Sequence, residues 1–193
     1  MRLGENFDTV SVPALPPGWT AANATGPAPL WVTTATSPDT APNAAFVDDP
    51  NAISDKLLDT PSLPITSAAA QLSFRNNYAL ESTFDGGVLE IAIGGGAFAY
   101  ILAAGGTFVT GGYVGTDSTS YMSPIAGRAA WTGSSSGYIT TVVNLPAAAA
   151  GQNVVLRFRM GSDNSVSATG WSIDTLSLND GYVCCGGSAF SLQ

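Results

Sequence analysis

Carboxylates dominate the chemistry open to this chain. Fourteen Asp and Glu stand against six Lys and Arg, with no histidine, for a formal net charge of −8. The absence of histidine removes the commonest general base, the Ser–His and Cys–His nucleophile pairs and most catalytic zinc sites. What remains is oxygen chemistry. Calcium, a hard cation, takes about six to eight oxygens from carboxylates, carbonyls and water. The acids that draw attention are Glu5 and Asp8 around Asn6-Phe7, Asp39 in the loop-like SPDTAPN, Asp48 at the head of a stretch dense in acids (Asp49, Asp55, Asp59), and Asp174 inside WSIDTLSL. Asp is also a common turn residue, because its side chain bonds nearby backbone N–H groups. Gly161-Ser162-Asp163-Asn164-Ser165 has the oxygen content of a calcium loop but lacks the spaced glutamate that would close one, so it reads as a plain turn.

The other reactive groups are few. One lysine in 193 residues leaves no basic stripe for phosphates, which argues against nucleic-acid binding. Arg157 and Arg159 leave one strand on the same side, as Arg75 and Glu90 leave theirs on faces away from the core. Such groups make cross-strand ion pairs or, as arginine forks, hold carboxylates of a ligand. Tyr113, Tyr121 and Trp131 flank Gly/Ser-rich loops and are candidate ligand-binding aromatics, while Trp31 and Trp171 lie in strands and are expected in the core. No motif singles out a carboxylate pair or a Tyr–Arg pair for catalysis, so the chain reads as a non-enzyme.

The elements that must position these residues are strands. In Gln71–Ile93, Leu72, Phe74, Asn76 and Tyr78 share one face, and Leu89, Ile91 and Ile93 alternate with Glu90 and Ala92. Period-two alternation marks strands with one face in a core. Phe84-Asp85-Gly86-Gly87 reads as the turn between them, predicting an antiparallel hairpin-like pair in mid-sheet. Further strands are predicted over 4–12, 30–34, 44–47, 97–102, 138–145, 153–160 and 171–178. The acidic 48–59 stretch is expected to be a loop. The Gly 22 and Pro 12 leave few windows for helices. Many short strands with Gly/Pro/Asn/Asp punctuation predict an all-β fold, a jelly-roll β-sandwich of two antiparallel sheets over residues 1–180, with a C-terminal tail at 181–193. The adjacent Cys184-Cys185 pair cannot staple distant parts of the domain, so the core depends on packing. No apolar signal-peptide region opens the sequence, and no window reaches the ~18 apolar residues of a membrane helix.

Asn6-Phe7-Asp8, Gly18-Trp19, Trp31, Asp39-Thr40, Ala45-Phe46-Val47-Asp48, Pro61-Ser62-Leu63, Leu72-Ser73-Phe74, Gly87-Val88-Leu89-Glu90-Ile91, Trp131 and Gly170-Trp171-Ser172-Ile173-Asp174-Thr175-Leu176 come in an order that resembles the bacterial MAM-like jelly-roll domain. Similar domains are ancillary parts of secreted immune-inhibitor-A-type peptidases and other exported bacterial proteins. The animal branch's disulfide cysteines are missing here. The resemblance implies an extracellular or cell-surface, non-catalytic adhesion module of a larger protein, with neighbouring domains and a glycan or protein ligand. It also implies a structural calcium ion where the first and last strands meet, with Glu5, Asp8, Asp39, Asp48 and Asp174 as candidate ligands. Alternatives are a self-associating subunit of a surface array or filament, and a carbohydrate-binding module or carbohydrate-active enzyme.

Overall fold

The computed structural model describes residues 3–180. The predicted tail and Cys184-Cys185 lie outside the described residues. In chain order the strands are β1 (Leu3–Glu5), β2 (Thr20–Thr25), β3 (Val32–Thr34), β4 (Ala44–Val47) and β5 (Ser54–Asp59). Then come β6 (Leu63–Pro64), β7 (Gln71–Ala79), β8 (Gly86–Ile93), β9 (Ala99–Tyr100) and β10 (Thr107–Thr110). The chain continues through β11 (Gly115–Thr116), β12 (Ala129–Ala130), β13 (Ile139–Asn144), β14 (Asn153–Ser162) and β15 (Gly170–Asn179). A 3₁₀ turn, Ala147–Ala149, is the one helical piece among the described residues.

The fold is the expected jelly-roll β-sandwich. The front sheet runs β10-β13-β7-β15-β4-β3, with β1 beside β4 along the same edge of β15. The back sheet runs β2-β5-β14-β8-β9, with β6 on β14. All these pairings are antiparallel, and the first and last strands meet at Glu5↔Leu176.

Two expectations fail for physical reasons. Strands β7 and β8 do not form a hairpin. β7 pairs with β13 and β15 in the front sheet, whereas β8 pairs with β14 and β9 in the back sheet. The segment between them, residues 80–85, arches from one sheet to the other. Both strands need a buried face, and alternation cannot say whether two such faces lie side by side or opposite one another. The acidic 48–59 stretch is not a loop throughout: β5 is an internal strand between β2 and β14. SDKLLD has no clean alternation because its charges are paired inside the fold. Lys56 is fully buried in an ion pair with Asp48, while Asp55 and Asp59 meet Arg159 and Arg157. The first strand is also shorter than expected, stopping at Glu5.

Aromatic rings fill the space between the sheets. Phe74 of the front sheet meets Phe158 of the back sheet edge-on at 5.2 Å, and Trp171 lies 5.2 Å from Trp31, 5.6 Å from Trp131 and 6.0 Å from Phe158. Each such pair adds about 0.5–1.5 kcal/mol beyond its buried area. Asn76, on the same buried face as Phe74, is kept satisfied by accepting the Trp171 indole N–H at 2.7 Å and donating to Thr141 at 3.2 Å. The Trp171 ring lies so close to Gly87 that a Cβ there would approach it to 2.8 Å.

Candidate functional site

The arch between β7 and β8 builds an acidic pocket at one end of the sandwich. Acids stand one or two residues beyond four strand ends: Asp49 after β4, Glu81 after β7, Asp117 after β11 and Asp163 after β14. Asp85 closes the arch, whose turn is held by the Asp85 N–H donating to the Glu81 carbonyl at 3.1 Å. Three of these acids, Glu81, Asp85 and Asp163, bring carboxylate oxygens within 4.8 Å of one another, the one such group among the described residues. The loops are tied to one another through the same side chains. Asp85 Oδ1 accepts the Asp163 N–H at 2.7 Å, and Asp49 Oδ2 accepts the N–H groups of Ala168 at 3.2 Å and Glu81 at 3.4 Å.

The electrostatics of the pocket are severe. Asp85 is fully buried, and burial pushes its carboxyl up to about 9; the Asp163 N–H partly offsets this, and the charges of Asp49 and Asp163 add to it. Burial likewise pushes Asp117 up to about 6, with Asp163 adding. Desolvation and the charges of Asp163 and Asp49 raise Glu81, and burial raises Asp49. Five buried oxygens of these acids, Asp49 Oδ1, Glu81 Oε2, Asp85 Oδ2 and both of Asp117, accept no hydrogen bond. A cavity of about 200 Å³, lined by Glu81, Phe84, Tyr121, Asp163 and Ser165, leads to the acids. The donor set is all oxygen, the chemistry of a hard cation.

The acids singled out from the sequence are placed differently. Glu5 Oε1 accepts the Phe7 N–H at 2.7 Å. Asp8 accepts from the Asn43 N–H at 2.9 Å and the Asn6 side chain at 2.6 Å. Asp174 accepts the N–H groups of Thr40 at 2.9 Å and Thr175 at 2.6 Å, and burial raises its carboxyl. Asp39 pairs with Arg75 at 2.9 Å and Asp48 with Lys56. The strand adjacency expected for them is there, yet among the described residues no three of these five bring their oxygens together as Glu81, Asp85 and Asp163 do.

The aromatics divide as well. Trp131 is fully buried and donates its indole N–H to Gly111, so it is a core residue and not a ligand platform. Tyr113 packs on Trp131 at 4.7 Å, and its hydroxyl accepts the Leu89 N–H. Tyr121 is 48% exposed at the mouth of the acidic pocket, with its ring edge-on to Phe84.

A second concavity lies on the outer face of the front sheet. It encloses about 400 Å³ and its lining includes Thr34, Phe46, Asn77, Thr169 and Ser172. Phe46, Ser172 and Asn77 form one row across β4, β15 and β7, all pointing away from the core. Gly170 sits in the lining at φ +120°, where a Cβ would approach the Val47 carbonyl oxygen to 2.1 Å. The adjacent pairing of Asp174 with Arg75 marks the next row outward on the same face. The lining carries no formal charge. Its aromatic member was not legible in the sequence, because Phe46 sits in an AAFV run that reads as core.

No protein-family model matches the chain, and no curated protein matches it by sequence. Solved structures do resemble it. The K2 cleaved adhesin domain of Lys-gingipain superposes over 92% of this chain and 97% of its own, with a TM-score of 0.56 at 15% identity. The K1 cleaved adhesin domain of Lys-gingipain from Porphyromonas gingivalis W83 gives 0.52 at 16% identity over 92% and 96%. A structure of carbohydrate-binding modules from the β-sandwich superfamily gives 0.53 at 10% identity, covering 91% of this chain and 60% of that one. At these identities the likeness is one of fold.

Proposed function

We propose that this chain is a non-catalytic, extracellular binding module of a larger protein, and that the groove on the front sheet takes a neutral glycan. The observation that carries the reading is the row Phe46–Ser172–Asn77 with Thr34 and Thr169 around it. An aromatic ring suits the C–H face of a sugar, and hydroxyls and an amide suit its rim. Asn77 Oδ1 accepts from Ser135, while its Nδ2 donates to no described residue and is left for a ligand. The uncharged lining and the net charge of −8 both disfavour an acidic glycan. Adhesin and carbohydrate-binding domains among the similar folds, and the MAM-like sequence resemblance, support the ancillary, exported setting. Affinity electrophoresis against a panel of neutral polysaccharides tests this. At least one is expected to retard the protein, with Phe46→Ala and Asn77→Ala each losing about tenfold or more. No retardation by any polysaccharide would sink the glycan reading, and turnover of one would replace it with an enzyme.

Self-association is the second reading, and one observation favours it. β10 is an edge strand of the front sheet, and it carries Val109 at 59% exposed. An unpaired apolar edge is a template for pairing with another chain. Sedimentation across a concentration series checks it: a monomer at all concentrations removes the assembly reading.

A further inference from the structure

We propose that the pocket formed by Glu81, Asp85 and Asp163, with Asp49 and Asp117 behind them, is a calcium site that fastens the two sheets together at that end of the sandwich. This does not depend on the glycan reading, which uses other residues.

Three observations converge. The first is charge balance. The described basic residues are all engaged elsewhere: Lys56 with Asp48, Arg75 with Asp39, Arg128 with Glu90, Arg157 with Asp59, and Arg159 with Asp55 and Glu90. None reaches the five acids of the pocket. Buried carboxylates require a counter-charge, a proton or a metal. The second is the set of orphaned oxygens. Asp85 is fully buried and Asp49 is 3% exposed, yet Asp85 Oδ2 and Asp49 Oδ1 accept no hydrogen bond. Buried polar atoms are almost always satisfied, so unpaired acceptors on neighbouring acids mark a missing positive partner. The third is ligand chemistry and access. Carboxylate oxygens within 4.8 Å of one another, with a cavity open on one side, suit the irregular shell of about six to eight oxygens around calcium better than the strict octahedron of magnesium.

The ion would join what hydrogen bonds already begin to join. Asp49 follows a front-sheet strand, Asp163 follows a back-sheet strand, and Glu81 and Asp85 lie on the arch between the sheets. The competing arrangement is a proton shared by Asp49 and Asp85, and the two arrangements predict opposite behaviour. The protein is stripped with EDTA, then titrated with terbium, read by luminescence excited through Tyr121 at the pocket mouth, and with calcium, read by thermal melting. Saturable terbium luminescence displaced by calcium is expected. Calcium at about a hundred times its Kd should raise the Tm by roughly 5–10 °C. Asp85→Asn and Glu81→Gln should each lose most of that rise; Glu81 is partly exposed and the milder change for folding. If the stripped protein melts at the same temperature with and without calcium and gives no terbium signal, the acids share protons and the proposal is overturned. If both variants keep the full calcium shift, the ion sits elsewhere and the proposal fails as well.

Discussion

On the outer face of the back sheet, Asp55, Asp59 and Glu90 lie against Arg128, Arg157 and Arg159. Arg157 holds Asp59 with two bonds of 2.7 and 2.9 Å, Arg159 holds Asp55 in the same way, and Glu90 accepts from Arg128 at 2.5 Å and Arg159 at 3.0 Å. At the loop end, Asp49, Glu81, Asp85, Asp117 and Asp163 are as crowded, but no basic side chain among the described residues pairs with them. The residue types are the same and the burial is similar. What differs is whether the chain brings its own counter-charge. A bidentate arginine–carboxylate ladder is complete in itself and serves the sheet. A carboxylate pocket without one is complete only with something from solution.

The largest effect that could break this contrast is a pH profile of the EDTA-treated protein. Asp85 holds its proton up to about pH 9 in the folded state but releases it near 3.8 when unfolded. Between those values the folded state binds more protons, so stability is fullest below the lower value and falls as pH rises towards the higher one. A decline of about 1 kcal/mol per pH unit is expected in urea titrations between pH 5 and 8. Saturating calcium should flatten it, and a metal-free profile without slope would remove the contrast. Next in size is Glu90→Ala, which strands Arg128 without a carboxylate and halves the partners of Arg159. It should cost about 2–3 kcal/mol at pH 7 in the same assay. Asp85→Asn should act in the opposite direction. In EDTA at pH 8 the amide makes no charge and can still donate to Asp49, so the variant should be more stable than the parent by about 2 kcal/mol. A carboxylate removed from each of the two regions would thus give opposite signs. The smallest effect tests the exposed limit. Arg75–Asp39 is a half-exposed pair on the front sheet, and Arg75→Ala should change stability by no more than about 0.5–1 kcal/mol, an effect that shrinks further in salt.

The sequence announced the ladder better than the pocket. Arg157 and Arg159 fall on the polar side of a strand whose other side is Leu156, Phe158 and Met160, so their direction was readable from alternation alone. Their partners Asp55 and Asp59 were not, because β5 has no alternating pattern and its acids looked like loop residues. The pocket was hidden for a different reason. Its acids come from four separate strand ends, and they meet only because the β7–β8 connection crosses between sheets instead of turning back. Treating Phe84–Gly87 as a hairpin turn places Asp85 at a solvent-exposed tip, the opposite of its buried position. Asp163 was visible in an oxygen-rich loop, but a local calcium pattern was the wrong test for a site assembled from distant segments. A usable signal was present: an acid just beyond the end of each of several predicted strands. The front-sheet row was half legible. Asn77 and Ser172 lie on the outward faces that alternation gives, but the neighbouring position of Phe46 depends on the order β4-β15-β7, which no local pattern encodes.

The pairing of β1 with β15 has a mechanical consequence. Leu3 faces Leu178 and Glu5 faces Leu176, so the chain enters and leaves the ladder at the same end. A pull on the two sides of the domain therefore loads these hydrogen bonds one after another, as a zipper opens, and not all together in shear. The first strand should peel away at low force, while the bulk of the sandwich stays closed behind it.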